Sequence, residues 1–322
     1  MATASRAYGA IGPHIYAPEG PFTGSFAGAT FAYGDVVQGN AGAQFIFVKY
    51  APVAAVTYNQ GDVFVYDSSF MAVPSKLGAG YHALGSQVGT LFFGGRVGDP
   101  ATQQGNIWSY LFQPGTYGVW LQINGACAAN FTTITAQADL AYTTATLGSV
   151  SALASGAANS ETVTGMFTAV LSFTFTATDT SGSAVLTAVS DTNKLEVGMV
   201  LSGTGIPNGA YIVSIDGASI TMSVNATSTN AGTTVTAKKG TFWGTTVSGS
   251  PIITGVGALL GVYPNATLTG TGVSGTLSKV TGIPGNYIVT LSANASASGT
   301  VSIAATQYVE ALLTKPFISA QN

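Results

Sequence analysis

Charge is the scarcest property of this sequence. Only 7% of its 322 residues are Asp, Glu, Lys or Arg: 9 basic and 12 acidic, for a formal net charge of −3. An ordinary globular chain carries about 25%. With so few Lys and Arg, the chain has no patch able to hold nucleic acid by neutralising phosphates. Cysteine is nearly absent: Cys127 stands alone, which excludes a disulfide scaffold within the chain. The histidines are His14 and His82 only. Together with one cysteine they cannot supply the four Cys or His ligands that a structural zinc site commonly takes. Long apolar runs are missing too. The most apolar stretch, 163–177, is interrupted by Thr164, Thr168, Thr174 and Thr176 and is too short to span a bilayer. The first residues show no apolar signal-peptide segment, so the expectation is a chain not secreted by the usual route.

What is abundant is apolar, aromatic or small. Hydrophobic residues make up 46%, with 16 Phe, 14 Tyr, 3 Trp and 42 Gly. That is enough to build a core, so a charge-rich disordered chain is excluded. The length suits two or three domains. A chain with so little charge keeps its surface wet in one of two ways. Thr, Ser, Asn and Gln cover it, or much of it is buried against other subunits, where Tyr, Trp and Phe act as anchors.

Residues 1–38 read as an extended N-terminal arm. Tyr8, His14, Tyr16, Phe22, Phe26, Phe31 and Tyr33 alternate with Gly, Pro and Ala, and Pro13, Pro18 and Pro21 work against regular hydrogen bonding. These seven residues are the candidate contact surface. They form a strap across the chain's own domain or across a neighbour. From Gln44 the sequence turns to β. Phe45-Ile-Phe-Val-Lys-Tyr50, Val63-Phe-Val-Tyr66, Gly89-Thr-Leu-Phe-Phe93, 108–112 and Tyr117-Gly-Val-Trp-Leu-Gln-Ile123 are short strands punctuated by Gly and Pro turns, which predicts a barrel or sandwich. Met166 to Thr176 reads as one further strand, Ala136–Thr144 as a short helix, and 178–183 as a boundary.

Beyond that boundary the chain repeats itself. Val185-Leu-Thr-Ala-Val189 matches Ile252-Ile-Thr-Gly-Val256, and Leu201-Ser-Gly-Thr-Gly-Ile206 matches Leu268-Thr-Gly-Thr-Gly-Val273, each pair 67 residues apart. Ile220-Thr-Met-Ser223 matches Val289-Thr-Leu-Ser292 after a slip of two, followed by Asn225-Ala-Thr-Ser and Asn294-Ala-Ser-Ala. Two small tandem β-modules are expected, at 179–240 and 241–305. The base domain would occupy 39–178. The fold class is therefore all-β: a barrel or sandwich base with an N-terminal arm and two tandem modules.

Chemistry is hard to find. Gly270-Thr-Gly272-Val-Ser-Gly275 fits a dinucleotide fingerprint only on paper, because Gly282 and Pro284 leave no room for the helix such a site needs. It reads as a turn shared by both repeats. Asp62, Asp67, Asp191 and Glu196 are the carboxylates nearest to forming pairs, but none sits in a catalytic pattern, and turn capping suits the three aspartates. No Gly-x-Ser-x-Gly elbow accompanies the histidines. His82 reads as a structural polar residue, Cys127 as a small buried one, and Lys238-Lys239 as a solvated linker. No catalytic, cofactor-binding or metal-binding residue is assigned, and no cofactor, nucleic-acid partner or membrane partner is expected.

Four segments carry a resemblance: Gln44-Phe-Ile-Phe-Val-Lys-Tyr50, Gly61-Asp-Val-Phe-Val-Tyr-Asp67, Gly89-Thr-Leu-Phe-Phe-Gly-Gly-Arg-Val97 and Pro114-Gly-Thr-Tyr-Gly-Val-Trp-Leu-Gln-Ile-Asn-Gly-Ala126. In this order they resemble the decoration (cement) proteins on the heads of tailed bacteriophages. The chain departs from that pattern at Val119-Trp120, where Gly-Trp is usual, and at Phe92-Phe-Gly-Gly95, where small residues are usual. Val197-Gly-Met-Val-Leu-Ser-Gly-Thr-Gly-Ile-Pro207 resembles an accessory β-module of phage head and tail proteins. On this resemblance Tyr308–Ile318 closes the base domain, so that domain includes 306–322 and the modules protrude from it.

The resemblance implies a structural virion protein, not an enzyme, on the outer capsid surface and made in the host cytoplasm. Its partners would be the major capsid protein and copies of itself, as a homotrimer. A host-surface glycan is a further partner that nothing in the sequence supports. The alternatives are a head fibre or tail component that adheres to the host surface, and, from another class, a carbohydrate-active or peptidoglycan-cleaving virion enzyme using the carboxylates above.

Overall fold

A computed structural model of the chain describes residues 19–22, 31–39, 42–76, 82–83, 85–92, 109–132, 140–144, 148–151, 161–169, 171–263, 265–283 and 285–321. The described residues contain no α-helix, so the chain is all-β. It divides into two compact units. Unit 1 comprises 1–96, 101–169 and 307–322, and unit 2 comprises 97–100 and 170–306.

Unit 1 begins with β1 (Glu19–Phe22), β2 (Val36–Gln38), β3 (Gln44–Tyr50), β4 (Val56–Asn59), β5 (Val63–Tyr66) and β6 (Met71–Pro74). It continues with β7 (Gln87–Phe92), β8 (Ser109–Phe112), β9 (Thr116–Asn130), β10 (Leu140–Thr143), β11 (Val150–Ser151) and β12 (Glu161–Thr168). Unit 2 holds β13 (Ser172–Asp179), β14 (Val185–Leu186), β15 (Val200–Gly203), β16 (Ile212–Asp216), β17 (Ser219–Met222) and β18 (Asn230–Lys238). Its second half holds β19 (Thr241–Thr246), β20 (Ile252–Val256), β21 (Thr267–Gly270), β22 (Val273–Ile283), β23 (Asn286–Leu291) and β24 (Gly299–Thr306). The chain then returns to unit 1 as β25 (Tyr308–Gln321).

The long strand β9 organises unit 1. Along one edge it pairs with β3; along the other, β1, β7 and β25 follow in turn. The pairings β9–β3–β6–β5–β7 return to β9, so five strands close on themselves. Burial on both faces explains the apolar run Phe45-Ile-Phe-Val48 of β3. Ile46, Val48 and Tyr50 face a core shared with Phe64, Leu91, Val119 and Leu121. The intervening Phe45 and Phe47 face the opposite way, onto Trp120 and Phe31. A strand buried on both faces has no polar side to alternate with. Gly118 leaves room for this packing, since a Cβ there would lie 2.0 Å from the Phe47 ring.

Three expectations need correction here. The helix expected over Ala136–Thr144 is not formed in its described part: Leu140–Thr143 is β10, held between β11 and β12. Ala permits a helix but does not impose one when neighbouring strands offer ladders. The arm is more regular than expected, because β1 joins β9 and β2 joins β3 despite Pro18 and Pro21. Finally, Met166 to Thr176 is not one strand. β12 pairs with β25 in unit 1, whereas β13 pairs with β18 in unit 2. The base domain therefore ends at Ala169 rather than at residue 178, and the first module begins with β13.

With β13 included, the two repeats become the same six-stranded design. The order β13–β18–β15 corresponds to β19–β24–β21, and β14–β17–β16 to β20–β23–β22. Phe175 pairs with Val235 as Phe242 pairs with Ile303. The seam closing each barrel recurs at equivalent residues, Thr178 with Thr187 and Thr245 with Thr254. The second copy is a closed barrel; in the first, the seam equivalent to the four pairs of β21 with β22 shrinks to a single bridge at Val200–Tyr211.

The Leu-x-Gly-Thr-Gly motif explains itself in this frame. A Cβ at Gly203 would lie 2.8 Å from the Thr234 carbonyl oxygen, and one at Gly270 2.6 Å from that of Ser302. The first glycine of each motif thus admits a neighbouring strand. The second turns the chain, with φ of +78° at Gly205 and +69° at Gly272, a region that favours glycine. The turn carbonyl is then taken by the Asn-Ala loop, through Thr227 N–H to Gly205 O (2.9 Å) and Ser296 N–H to Gly272 O (2.8 Å). Gly270→Ala is expected to lower the unit 2 unfolding transition by about 1–3 kcal/mol through overpacking against backbone, with the unit 1 transition unchanged. Calorimetry reads both, and an unshifted unit 2 would show that the motif is not structural.

Candidate functional site

The carboxylates singled out in the sequence are spent on local structure. Asp67 Oδ1 accepts the N–H groups of Ser69 and Met71 and the Ser69 hydroxyl, which holds its pKa below the usual carboxylate range. Asp191 accepts the N–H of Asn193 at 2.9 Å. Glu196 binds Lys239 Nζ at 2.5 Å. Lys239 is buried, so it is not the solvated linker residue expected. A buried ammonium needs a partner, and the first repeat supplies it.

Asp62 does more than cap a turn. Its Oδ2 accepts the N–H of Asn59 at 2.8 Å, as a turn aspartate would. Its Oδ1 accepts the Tyr308 hydroxyl at 2.7 Å and Asn130 Nδ2 at 2.9 Å. Tyr308 opens β25, Asn130 closes β9, and Asp62 precedes β5, so one carboxylate ties three strand ends together. Burial pushes its pKa up to about 6 despite these three donors.

A second buried polar pair joins His82 to Glu161. The His82 N–H donates to Glu161 Oε1 at 3.1 Å, and the N–H of Lys76 donates to His82 Nε2 at 3.3 Å. Because Nε2 accepts, and burial lowers the His82 pKa to about 4, the 3.9 Å approach of Nε2 to Glu161 Oε2 is not an ion pair. Cys127 is buried and its pKa is pushed up to about 12 by burial, which leaves an unreactive thiol. Among the described residues, no group of three or more His, Cys, Asp or Glu could hold a metal ion.

Of the arm residues, Tyr8, His14, Tyr16 and Phe26 lie outside the described residues, and Phe22 lies in β1. Phe31 is buried in unit 1, with its ring centroid 4.9 Å from that of Trp120 in an edge-on contact. Tyr33 stacks on Phe47 at 5.8 Å. This end of the arm straps its own unit. Phe31 is therefore a core residue and not an open contact, because the second face of β3 and β9 needs covering.

Unit 2 contains a groove of about 250 Å³ at the meeting of its two barrels, lined by Tyr211, Ser223, Trp243 and several glycines. Sequence reasoning missed it. It also missed Asn130, Glu161 and Tyr308 as buried partners, which no local pattern marks. Tyr211 and Trp243 do leave a signal, since their counterparts in the other repeat are threonines. No protein-family model, curated protein or solved structure matches this chain.

Proposed function

We propose that the chain is a structural virion protein that binds the outside of an assembled phage capsid and stabilises it. Unit 1 would be the shell-binding part, working in the homotrimeric state that the resemblance implies. Unit 2 would be an added pair of barrels. The observation that carries this reading is where the resembling segments fall. The described parts of all four fall on or directly beside β3, β5, β7 and β9, four of the five strands in the closed ring of unit 1. The resemblance thus follows one folded body and not scattered matches. The placement of the carboxylates supports a non-catalytic role, since Asp62, Asp67, Asp191 and Glu196 are each engaged by neighbours from their own unit.

A protein that binds the expanded shell but not the free subunit stabilises that shell by mass action, by about 2.7 kcal/mol per site at a free concentration one hundred times Kd. Adding the protein to expanded shells of its parent virus is expected to raise their disruption temperature in a concentration-dependent way. Unexpanded shells should not respond. An unchanged disruption temperature at saturating protein would contradict the proposal.

A further inference from the structure

The two repeats are copies of one design, so where one copy carries an aromatic ring and the other an exposed threonine, the fold itself does not require the ring. Equivalent hydrogen bonds fix the alignment. Tyr211 N–H donates to Ser223 Oγ, and Thr276 N–H to Ser292 Oγ. Ser223 N–H returns to Tyr211 O, and Ser292 N–H to Thr276 O. Tyr211 therefore stands where the second copy has Thr276. Trp243 follows Phe242 as Thr176 follows Phe175, and both threonines are exposed.

The copies also differ in length, and two of these differences lie near the aromatic pair. Between Ile206 and Tyr211 the first copy has Pro207-Asn-Gly-Ala210, whereas the second has only Ser274-Gly275 between Val273 and Thr276. In the hairpin that follows, Asp216 pairs with Ser219 across Gly217-Ala218. The second copy instead extends through 282–287, with Ile283 pairing Asn286.

These two substitutions and two length differences meet at the groove. Gly209, from the longer loop of the first copy, and Gly285, from the longer hairpin of the second, both line it with Tyr211 and Trp243. The Tyr211 ring rests on backbone, since a Cβ at Gly257 would lie 2.4 Å from Tyr211 Cε1, and Gly209 leaves ordinary contact room beside Trp243, with a Cβ there 3.5 Å from Trp243 Cβ. Gly285 N–H donates to Gly257 O at 3.0 Å and pins the hairpin tip against the same place.

The lining selects a class of ligand. No charged side chain contributes to it, so neither an anion nor a cation finds a counter-charge. It offers two aromatic rings, of which that of Tyr211 is already held against Gly257, which lowers the ordering cost of binding. Beside them stand two hydroxyls, of Tyr211 and Ser223. The Ser223 oxygen accepts from the Tyr211 N–H, and its own proton remains to donate. Rings with a polar rim match a ligand that is apolar on one face and hydroxylated around its edge. At about 250 Å³ the space lies below the roughly 300–1,000 Å³ of sites for drug-sized molecules, which suits one sugar ring. We propose that this groove binds a neutral saccharide through a single pyranose ring held against Tyr211 and Trp243.

The repeat supplies the test variants. Tyr211→Thr and Trp243→Thr install the residues that the sister copy carries while folding into the same design, so both are expected to keep the unit 2 thermal transition. The full chain is titrated with the methyl glycosides of glucose, galactose, mannose, rhamnose and N-acetylglucosamine, followed by saturation-transfer NMR, with sialic acid as a charged control. The expected result is saturable binding of at least one neutral glycoside, weakened at least tenfold in each variant. Absence of saturable binding to any of the five would overturn the proposal. So would binding unaffected by both variants, or preference for sialic acid. Loss of the unit 2 transition in both variants would also overturn it, because the rings would then be barrel-to-barrel packing.

Discussion

Ending the chain at Thr306 is expected to abolish the folding of unit 1 while leaving unit 2 intact. The removed segment contains β25, which pairs with β12 and with β9 at seven positions each and touches β7 at Gln87. It supplies the buried side chains Val309, Ala311, Leu313 and Ile318, and the Tyr308 hydroxyl bound to Asp62. Without it, β9 and β12 expose ladder edges and apolar faces that water cannot satisfy. Unit 2 closes at Thr306 and keeps all twelve of its strands, β13 to β24. Hydrogen exchange by mass spectrometry should show full exchange in β3, β5, β7 and β9 and native protection in β18 and β24. Retained protection in the ring would mean that β25 is an accessory strand, against the topology described.

Asp62→Ala is expected to cost unit 1 about 3 kcal/mol, because it strands a buried hydroxyl, an amide and a backbone N–H at once. For a unit of this size that corresponds to a fall in Tm of about 6–12 °C. Asp62→Asn keeps one carbonyl acceptor and should cost less. The pH dependence follows from the raised pKa. The folded carboxyl titrates near 6 against an ordinary value of 3.8, so between those limits the folded state holds a proton that the unfolded state lacks. The contribution of Asp62 to stability is therefore full below about pH 4 and is lost as pH rises through 6. Stability of the wild type minus that of Asp62→Asn should increase by up to about 3 kcal/mol from pH 7 to pH 4, the equivalent of a shift of about two pKa units. Chemical denaturation at four or five pH values measures it. A constant difference would show that the Asp62 carboxyl is not desolvated in the fold.

Elements whose cause is local could be read from the sequence. Phe45 to Tyr50 declares a strand by composition, and the Leu-x-Gly-Thr-Gly turns declare the repeat because glycine is required there by backbone approach. The first strand of each barrel was harder to see. Thr174-Phe-Thr-Ala-Thr178 and Thr241-Phe-Trp-Gly-Thr245 share only a threonine at each end, a phenylalanine and a small residue. The unit boundary fell inside an apolar and Thr-rich run because no Gly, Pro or charge separates Ala169 from Leu171. The polar cluster at Asp62 was beyond any local pattern, since Tyr308 lies 246 residues away in sequence. The groove was hidden for a related reason. Tyr211 and Trp243 belong to different repeats, and only with β13 included does Trp243 stand opposite a threonine, Thr176.

Whether the chain binds a capsid is decided by co-sedimentation of the purified protein with expanded shells of its parent virus, with unexpanded shells as control. Saturable binding to expanded shells alone is expected, at hundreds of copies per shell, as the resemblance to decoration proteins implies. No binding to either form, or saturation at a few copies, would contradict the capsid-binding reading and leave the fibre or tail reading in its place.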